Sequence, residues 1–249
     1  MQQINYTLYH ETEYQLGKRK IKGILFDMDG VILDTEKLYT RFWQEAAQFF
    51  GYPMTREQAL GMRSLNREAG KAQLEAYFGK GVDYGEIRNK RIELMNAFVE
   101  KEGVTEKPGI RELVTYLMDH GYKTAVATSS PPERTRLYLE SVGLADKFDI
   151  LVSGYMVEKG KTEPDIYLYA AEQLGLKPSE CLVLEDSPTG ILAAQRAGCV
   201  PVMIPDQDEP TEEVKKILAA VAPEPRGVQD LLKDIRRGSE NIGKNRIRQ

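Results

Sequence analysis

The 249-residue sequence has few cysteines, no long apolar run and no excess of basic residues. Its two cysteines, Cys181 and Cys199, lie in apolar surroundings, which favours buried reduced thiols over a disulfide or a metal pair. The formal net charge of -4 argues against a nucleic-acid partner, because a phosphate backbone requires a basic surface. No apolar run is long enough to span a bilayer, and residues 1–20 lack the apolar core of a signal peptide. These absences predict a cytoplasmic protein without nucleic-acid or membrane partners.

The rest of the composition is typical of a globular protein, with 41% hydrophobic and 29% charged residues. The length allows one large domain with a smaller companion. Residues 1–19 are polar, and we predict an N-terminal extension that contributes little to the core. Residues 239–249 combine polar and basic residues with a glycine, which predicts a frayed C-terminal tail.

Five short apolar runs, each followed by turn residues and a helical stretch, predict strands. The runs are residues 21–26, 123–127, 148–152, 181–184 and 200–204. Pro108 and Pro164 mark the starts of two of the helices. Strands that alternate with helices of this length predict an α/β fold, a doubly wound parallel sheet with helices on both faces. We assign residues 20–35 and 106–238 to this Rossmann-like core.

Residues 36–105 break this alternation, because they contain helical patterns but no convincing strand. One apolar stripe consists of Leu38, Phe42, Ala46 and Phe49, and another of Ile87, Leu94 and Phe98. We predict a smaller all-helical cap domain inserted after the first strand, with Asp83 as a helix N-cap. Two junctions, near Asp34 and Lys107, would let this domain close over the core as a lid. Because such a lid already covers the site, we expect a monomer.

Polar side chains follow the apolar runs at the positions where parallel sheets bind ligands, beyond the carboxyl ends of the strands. The sequences there are Asp27-Met28-Asp29-Gly30, Thr128-Ser129-Ser130, a loop that contains Lys161, and Glu185-Asp186-Ser187. Taken singly, the aspartates are common turn residues, the hydroxyl groups are common helix caps, and the lysine is a common solvated residue.

Together these residues predict a site for phosphoryl chemistry. Asp27, Asp29 and Asp186 supply hard oxygen ligands that suit Mg²⁺. Thr128 and Lys161 supply a hydrogen-bond donor and a positive charge for phosphate oxygens. Independent turns and caps would not produce this order along the chain and this placement on one sheet, so we favour the functional interpretation.

In their order, these four clusters resemble the signature motifs of the haloacid dehalogenase superfamily. The helical insertion directly after the first motif is similar to the arrangement in the subgroup with a helical cap. Residues 26–36, 161–165 and 184–190 resemble the β-phosphoglucomutase-like branch more narrowly. The resemblance extends over about residues 20–235, and its motifs are specific as a set.

The resemblance implies a role for each of these residues. Asp27 would be the nucleophile that is transiently phosphorylated, and Asp29 the general acid and base. Mg²⁺ would be held by Asp27, the backbone carbonyl of Asp29 and Asp186, and Glu185 would join these ligands or orient them from outside. The residues that would bind the phosphoryl group or balance its charge are Thr128, Ser129 and Lys161.

The resemblance also bears on the reaction. Dehalogenases and phosphonate-cleaving members of the superfamily lack the second aspartate, so Asp29 favours cleavage of a P–O bond. The mutase of the resembled branch carries a histidine early in the first cap helix, where this sequence has Tyr39, while the hinge residue Thr35 is retained. We therefore predict a phosphatase for a small phosphorylated metabolite, such as a sugar phosphate, with a phosphosugar mutase as the alternative.

The cap loop of residues 61–67 is the expected specificity element. Arg63 is a candidate for substrate contact, together with Thr35 and Tyr39 near the hinge, whereas Asn66 and Arg67 also fit the start of a helix. Two further cationic residues, Lys90 and Arg91, are expected to be surface charges. The helical spacing of Phe42, Trp43, Phe49 and Phe50 favours core packing over a ligand pocket.

Two other classes of protein fit the sequence less well. A non-catalytic binding module of the same fold would have lost the nucleophile or the second aspartate, whereas Asp27 and Asp29 are both present. A nucleotide-binding domain would need a Gly-x-Gly-x-x-Gly turn after the first strand, and residues 27–33 contain one glycine.

Overall fold

The computed structural model of the protein describes residues 5–9, 16, 18–63, 65 and 67–246. Within these residues, seven strands form one sheet. They are β1 (Thr7–Leu8), β2 (Gly23–Phe26), β3 (Lys123–Thr128), β4 (Ile150–Ser153), β5 (Cys181–Glu185), β6 (Val200–Met203) and β7 (Ala220–Val221). Their order is β1-β7-β6-β5-β2-β3-β4, and neighbours are parallel except β1 and β7. The predicted doubly wound parallel sheet is confirmed, and the five predicted runs match β2 to β6 within two residues at either end.

Helices lie between the strands of the sheet or follow the last of them. They are α1 (Glu36–Phe49), α2 (Arg56–Leu60), α3 (Arg67–Phe78), α4 (Tyr84–Glu102), α5 (Ile110–Asp119), α6 (Pro132–Ser141), α7 (Asp165–Gln173), α8 (Pro188–Arg196), α9 (Glu212–Lys215) and α10 (Pro225–Arg246). One buried cluster joins Leu25 and Val183 of the central strands to Ala170 of α7 and Ala193 of α8. This packing fixes the carboxyl ends of the central strands, which carry the candidate site.

Both cysteines belong to that cluster and are free thiols, as predicted. Burial raises the pKa of the Cys181 thiol to about 12. Because the thiolate is the reactive form, this thiol stays protonated and unreactive at neutral pH.

The chain divides into two compact units. The first comprises the residues up to Leu33 and from Glu106 onward, and it contains the sheet. The second, Asp34–Thr105, contains α1 to α4 and no strand among its described residues. It therefore begins two residues before the predicted helical insertion of residues 36–105 and ends at the same residue.

The second unit has a core of its own, in which Trp43 and Ile87 are buried. The Asp83 side chain caps α4 by accepting a hydrogen bond of 3.0 Å from the backbone N–H of Glu86, as predicted. Phe49 and Phe50 are 65% and 37% exposed, so the prediction that they pack in the core is wrong. Phe49 is the last residue of α1 and Phe50 follows it, and the two rings pack edge to face on each other at this helix end instead of in the core.

The segment before β2 contributes more to the fold than its polar composition predicts. β1 pairs with β7 at the edge of the sheet, Tyr6 is buried, and Leu16 is fully buried. The Tyr6 hydroxyl also donates a hydrogen bond of 2.9 Å to Oδ2 of Asp234. The prediction of a peripheral extension is wrong for these residues, because an edge strand is held by backbone hydrogen bonds that require no apolar pattern. Residues 1–4, 10–15 and 17 of this predicted extension lie outside the described residues.

The C-terminal end also differs from its prediction. The backbone of α10 continues to Arg246, although the sequence predicts a frayed tail from residue 239. Glutamate, lysine and arginine are strong helix formers and offset the glycine within this stretch. The last three residues of the predicted tail lie outside the described residues. None of the described helices has an apolar stretch long enough to cross a membrane.

Candidate active site

The strand register brings predicted site residues to one edge of the sheet. β2 lies between β3 and β5, and Phe26 pairs with Val126 on one side and with Leu184 on the other. Asp27, the residue after β2, and Glu185, the last residue of β5, therefore lie side by side at the carboxyl edge of the sheet.

Lys161 is the cation of the site. Its Nζ atom lies 2.5 Å from Oδ1 of Asp27 and 2.6 Å from Oε1 of Glu185. The lysine side chain is only 8% exposed, so the alternative of a solvated loop lysine is wrong. A buried ammonium group needs anionic partners to offset its lost hydration, and the two carboxylates supply them.

The Glu185 carboxylate is fully buried and accepts hydrogen bonds from five donors among the described residues. Its Oε1 atom accepts from Nζ of Lys161 and from the hydroxyl of Tyr167, both at 2.6 Å. Its Oε2 atom accepts from the backbone N–H groups of Asp186 and Ser187 at 3.1 and 3.2 Å, and from the Ser187 hydroxyl at 3.0 Å. In this arrangement Glu185 is fixed by protein donors and in turn orients Lys161.

Burial and charge act in opposite directions on the ionisable groups of the site. Burial raises the pKa of Asp27 to about 7; Lys161 opposes this effect, and Glu185 and Asp29 add to it. For Lys161, burial alone lowers the pKa, but attraction to Asp27 and Glu185 outweighs burial and holds the pKa above its usual range. Burial also opposes ionisation of Glu185, yet Lys161 and the other donors bring its pKa below the usual value. The result is an ionised Lys161–Glu185 pair beside an aspartate whose ionisation is opposed mainly by burial.

Three buried carboxylates form a group that fits a divalent metal ion. Asp27, Glu185 and Asp186 each contribute an oxygen atom, and these atoms lie within 4.8 Å of one another. Gly30, at φ +82°, permits this approach, because a Cβ atom there would collide with the Asp186 carboxylate. Oxygen ligands are those that Mg²⁺ prefers, and the group places three carboxylates beside the single ammonium group of Lys161. The donor set therefore suits the predicted Mg²⁺.

The Asp29 carboxylate has a different environment. In the described residues it is not part of the group of three, and its Oδ2 accepts a hydrogen bond of 3.2 Å from the Ser130 hydroxyl. Thr128 is buried at the end of β3, and its Oγ1 atom accepts a hydrogen bond of 3.1 Å from the backbone N–H of Ser130. Ser129, between them, is exposed. The loop after β3 thus directs Ser130 toward Asp29.

The other predicted substrate residues belong to the helical unit. Thr35 is fully buried before α1, and its carbonyl accepts a hydrogen bond of 3.0 Å from the backbone N–H of Tyr39. The Arg63 side chain is 10% exposed, and its Nη1 atom lies 3.6 Å from Oε2 of Glu36. Arg91 is buried with its guanidinium 5.1 Å from the centre of the Tyr39 ring, so the prediction of a surface charge is wrong for Arg91. A guanidinium group stacks on aromatic rings, which helical spacing alone does not reveal.

The remaining predictions for the helical unit concern Asn66, Arg67 and Lys90. Arg67 is the exposed first residue of α3, whereas Asn66, the predicted cap, lies outside the described residues. Lys90 has a side chain that is 19% exposed and lies over the exposed Phe49 ring, 2.7 Å from the exposed Glu93, so it is a paired charge at the surface.

Sequence reasoning assigned no role in the site to Tyr167 or to the Ser130 side chain. A usable signal existed for the tyrosine, since Tyr167, Ala171 and Leu174 form an apolar stripe on α7. A tyrosine on such a stripe needs a buried partner for its hydroxyl group. No comparable signal existed for Ser130, because its partner is set by the order of the strands.

Comparison with known proteins agrees with this geometry. Residues 21–198 match the family model described as haloacid dehalogenase-like hydrolase. The phosphorylated carbohydrates phosphatase of Thermotoga maritima is 35% identical over 179 residues, which are 72% of this chain and 82% of that protein. The β-phosphoglucomutase of Bacillus subtilis is 27% identical over 186 residues, which are 72% of this chain and 80% of that protein.

The fold is also similar to solved structures. A haloacid dehalogenase family hydrolase from Deinococcus radiodurans R1, with bound phosphate and sodium, has a TM-score of 0.71 at 26% identity. The similarity covers 87% of this chain and 97% of that chain. The likeness therefore includes nearly the whole of that hydrolase.

Proposed function

Because the chain belongs to the haloacid dehalogenase-like hydrolases, we propose that it is a magnesium-dependent phosphatase that acts on a small phosphorylated carbohydrate through an aspartyl phosphate on Asp27. The observation that carries the proposal is the contact of 2.5 Å between Nζ of Lys161 and Oδ1 of Asp27. A carboxylate beside a fixed cation is suited to attack an anionic phosphate, because the cation offsets the charge of both groups.

In the first half of the reaction, a carboxylate oxygen of Asp27 attacks phosphorus, and the bond from phosphorus to the sugar oxygen breaks. Asp29 donates a proton to that oxygen, so the sugar leaves as a neutral alcohol. Lys161 remains beside the acyl phosphate and offsets its charge. Thr128 and Ser129 bind phosphoryl oxygens through hydrogen-bond donors.

In the second half, a water molecule attacks the phosphorus atom of the acyl phosphate. Asp29, now ionised, accepts a proton from this water. The bond between phosphorus and the Asp27 oxygen breaks, which returns the carboxylate and releases inorganic phosphate. One pair of aspartates therefore serves both halves, with Asp29 as the acid in the first and the base in the second.

A metal ion complements these side chains. Asp27, the backbone carbonyl of Asp29 and Asp186 would hold Mg²⁺, with Glu185 beside them. When bound, the ion supplies positive charge that offsets the repulsion between the Asp27 carboxylate and phosphate oxygens.

The alternative is a phosphosugar mutase, in which a sugar hydroxyl replaces water as the acceptor of the phosphoryl group. The similarity to the β-phosphoglucomutase of Bacillus subtilis supports it. Tyr39 stands where the resembled mutase has a histidine, and this difference favours the phosphatase.

The test is phosphate release from a panel of sugar phosphates with Mg²⁺, with Asp27→Asn as the control. β-Glucose 1-phosphate is included, and its conversion to glucose 6-phosphate is followed with a bisphosphate primer. Phosphate release that disappears with Asp27→Asn or with a chelator supports the phosphatase. Isomerisation without net phosphate release supports the mutase, and the absence of both would contradict an enzymatic role on these substrates.

A further inference from the structure

Two donors share one oxygen atom in the buried part of the site. The Tyr167 hydroxyl and the Lys161 ammonium group each donate a hydrogen bond of 2.6 Å to Oε1 of Glu185. Tyr167 and Glu185 are both fully buried, so no bulk water competes for this oxygen. Hydrogen bonds to an ionised carboxylate in such surroundings are among the strongest in proteins.

The tyrosine also contacts the lysine directly. The Nζ atom of Lys161 lies 5.6 Å from the centre of the Tyr167 ring, within the range of a cation–π interaction. The ring itself is held by the apolar cluster between the sheet and α7. Tyr167 therefore has a fixed position from which its hydroxyl group orients Glu185 and its ring borders Lys161.

A fixed Glu185 matters because lysine is a flexible side chain. Its ammonium group can adopt many positions at little cost unless partners restrict it. In the resting site two carboxylates do so, at 2.5 and 2.6 Å. Phosphorylation of Asp27 would remove the negative charge of one of them and place an anionic phosphoryl group there, so the contact with Glu185 is the one that stays the same through the reaction.

We propose that Tyr167 is a positioning residue for the phosphatase reaction, which holds Glu185 so that Lys161 stays beside the phosphoryl group while Asp27 is phosphorylated. The expected effect on kcat rests on the proposed function, because it requires the phosphatase reaction. Its geometric content, that the hydroxyl of Tyr167 sets the position of Lys161, is independent of the substrate.

The test compares Tyr167→Phe with Tyr169→Phe, the same chemical change two residues along α7 on a partly buried side chain outside the site. We expect Tyr167→Phe to lower kcat about tenfold, because a hydrogen bond to the charged Glu185 is lost. KM should change less than twofold, because neither Tyr167 nor Glu185 is proposed to contact the substrate. Tyr169→Phe should leave both constants unchanged. A purely structural role would instead lower Tm in Tyr167→Phe and leave kcat near that of the wild type.

A second arm isolates the route through the lysine. In a Lys161→Met background, Tyr167→Phe should reduce the residual kcat less than twofold, because the group that it positions is gone. An undiminished tenfold loss in that background would overturn the proposal.

Crystal structures of the two tyrosine variants separate this inference from the proposed function. We expect Lys161 to remain beside Asp27 in Tyr169→Phe and to move away from it in Tyr167→Phe. An unchanged lysine in both variants overturns the inference even if the wild type releases phosphate. If the wild type releases none, the proposed function fails, and the lysine position still decides the inference.

Discussion

The hydroxyl of Ser130 donates a hydrogen bond of 3.2 Å to Oδ2 of Asp29, across 101 positions of the sequence. Ser130 is itself held by β3 and β4. Its backbone N–H donates to Oγ1 of Thr128 at 3.1 Å, and its carbonyl accepts from the Ser153 hydroxyl at 2.6 Å. The proposed general acid is thus oriented by a serine whose backbone is fixed at two points.

Replacement of Ser130 by alanine should slow the step that needs a proton. We expect kcat/KM for a sugar phosphate, which reports the first half of the reaction alone, to fall about tenfold, the loss expected for one hydrogen bond to a charged group. For p-nitrophenyl phosphate the loss should be less than about threefold, because that leaving group departs as a stable anion. Steady-state kinetics with both substrates measure the difference.

Ser141→Ala is the matched control, because Ser141 lies at the exposed end of α6 and donates to the carbonyl of Tyr138. It should change neither rate. Equal losses of kcat/KM on both substrates in Ser130→Ala would contradict a role through Asp29 as the proton donor.

Neutralising Asp27 should stabilise the metal-free protein at alkaline pH. Burial raises the pKa of Asp27 to about 7, so between about pH 4 and 7 the folded state holds a proton that the unfolded state has released. This contribution lowers the free energy of unfolding as pH rises through that range. Asp27→Asn removes this pH-dependent loss. The free energy of unfolding of the variant minus that of the wild type should therefore be about 2 kcal/mol larger at pH 8 than at pH 5.

Urea unfolding with a chelator measures this effect at both pH values. The exposed residue Asp146 provides the control, and Asp146→Asn should differ from the wild type equally at both. A difference between Asp27→Asn and the wild type that does not grow with pH would show that Asp27 is not destabilised by its charge.

Mg²⁺ should stabilise the folded protein through Asp27 and Asp186, the two carboxylates proposed to hold it. At a concentration one hundred times Kd, a ligand of the folded state adds about 2.7 kcal/mol, which corresponds to a rise in Tm of roughly 5 to 10 °C. Asp186→Asn should abolish the rise, which differential scanning calorimetry detects.

The control for that experiment is Asp206→Asn. The side chain of Asp206 is 7% exposed, but it lies 2.6 Å from Nζ of Lys107 and outside the acidic group. Loss of the Mg²⁺ effect in both variants would place the metal elsewhere or show a general effect of charge.

A methyl group at position 190 should disrupt the site. Gly190 lies in α8, where alanine ordinarily stabilises a helix by about 1 kcal/mol relative to glycine. Here a Cβ atom would collide with the Glu185 carboxylate. We expect Gly190→Ala to lower both Tm and kcat, because Glu185 must move and Lys161 loses its anchor.

Gly160→Ala tests whether any added methyl group near the site has this effect. No described atom lies within 4 Å of the Cβ position at Gly160, so this variant should resemble the wild type. If Gly190→Ala proves as active as Gly160→Ala, the position of Glu185 is less restricted than its contacts indicate.

The strands that carry the site are predictable from the sequence, and the contacts between them are not. Apolar runs such as residues 181–184 place Glu185 and Asp186 at a strand end by local pattern alone. By contrast, Tyr167 reaches Glu185 across 18 positions and Ser130 reaches Asp29 across 101. Such pairs depend on strand order and helix rotation, which a linear pattern does not specify.

The departures at the periphery have the same origin. β1 is a two-residue strand in a polar segment, and its partner β7 is formed more than two hundred residues later in the chain. Arg91 is buried because aromatic rings, including that of Tyr39, surround its guanidinium group. In both cases a partner that is distant in the sequence determines whether the residue is buried, whereas the local composition predicts exposure.

The most direct test of the central proposal is detection of the phosphoryl group on Asp27. The enzyme is mixed with a radiolabelled sugar phosphate that it cleaves, quenched in acid during turnover, digested and examined by mass spectrometry. We expect the label on the peptide that contains Asp27, its loss on treatment with hydroxylamine, and its absence in Asp27→Asn. Phosphate release at the wild-type rate by Asp27→Asn, or label on a residue other than Asp27, would contradict the proposed mechanism.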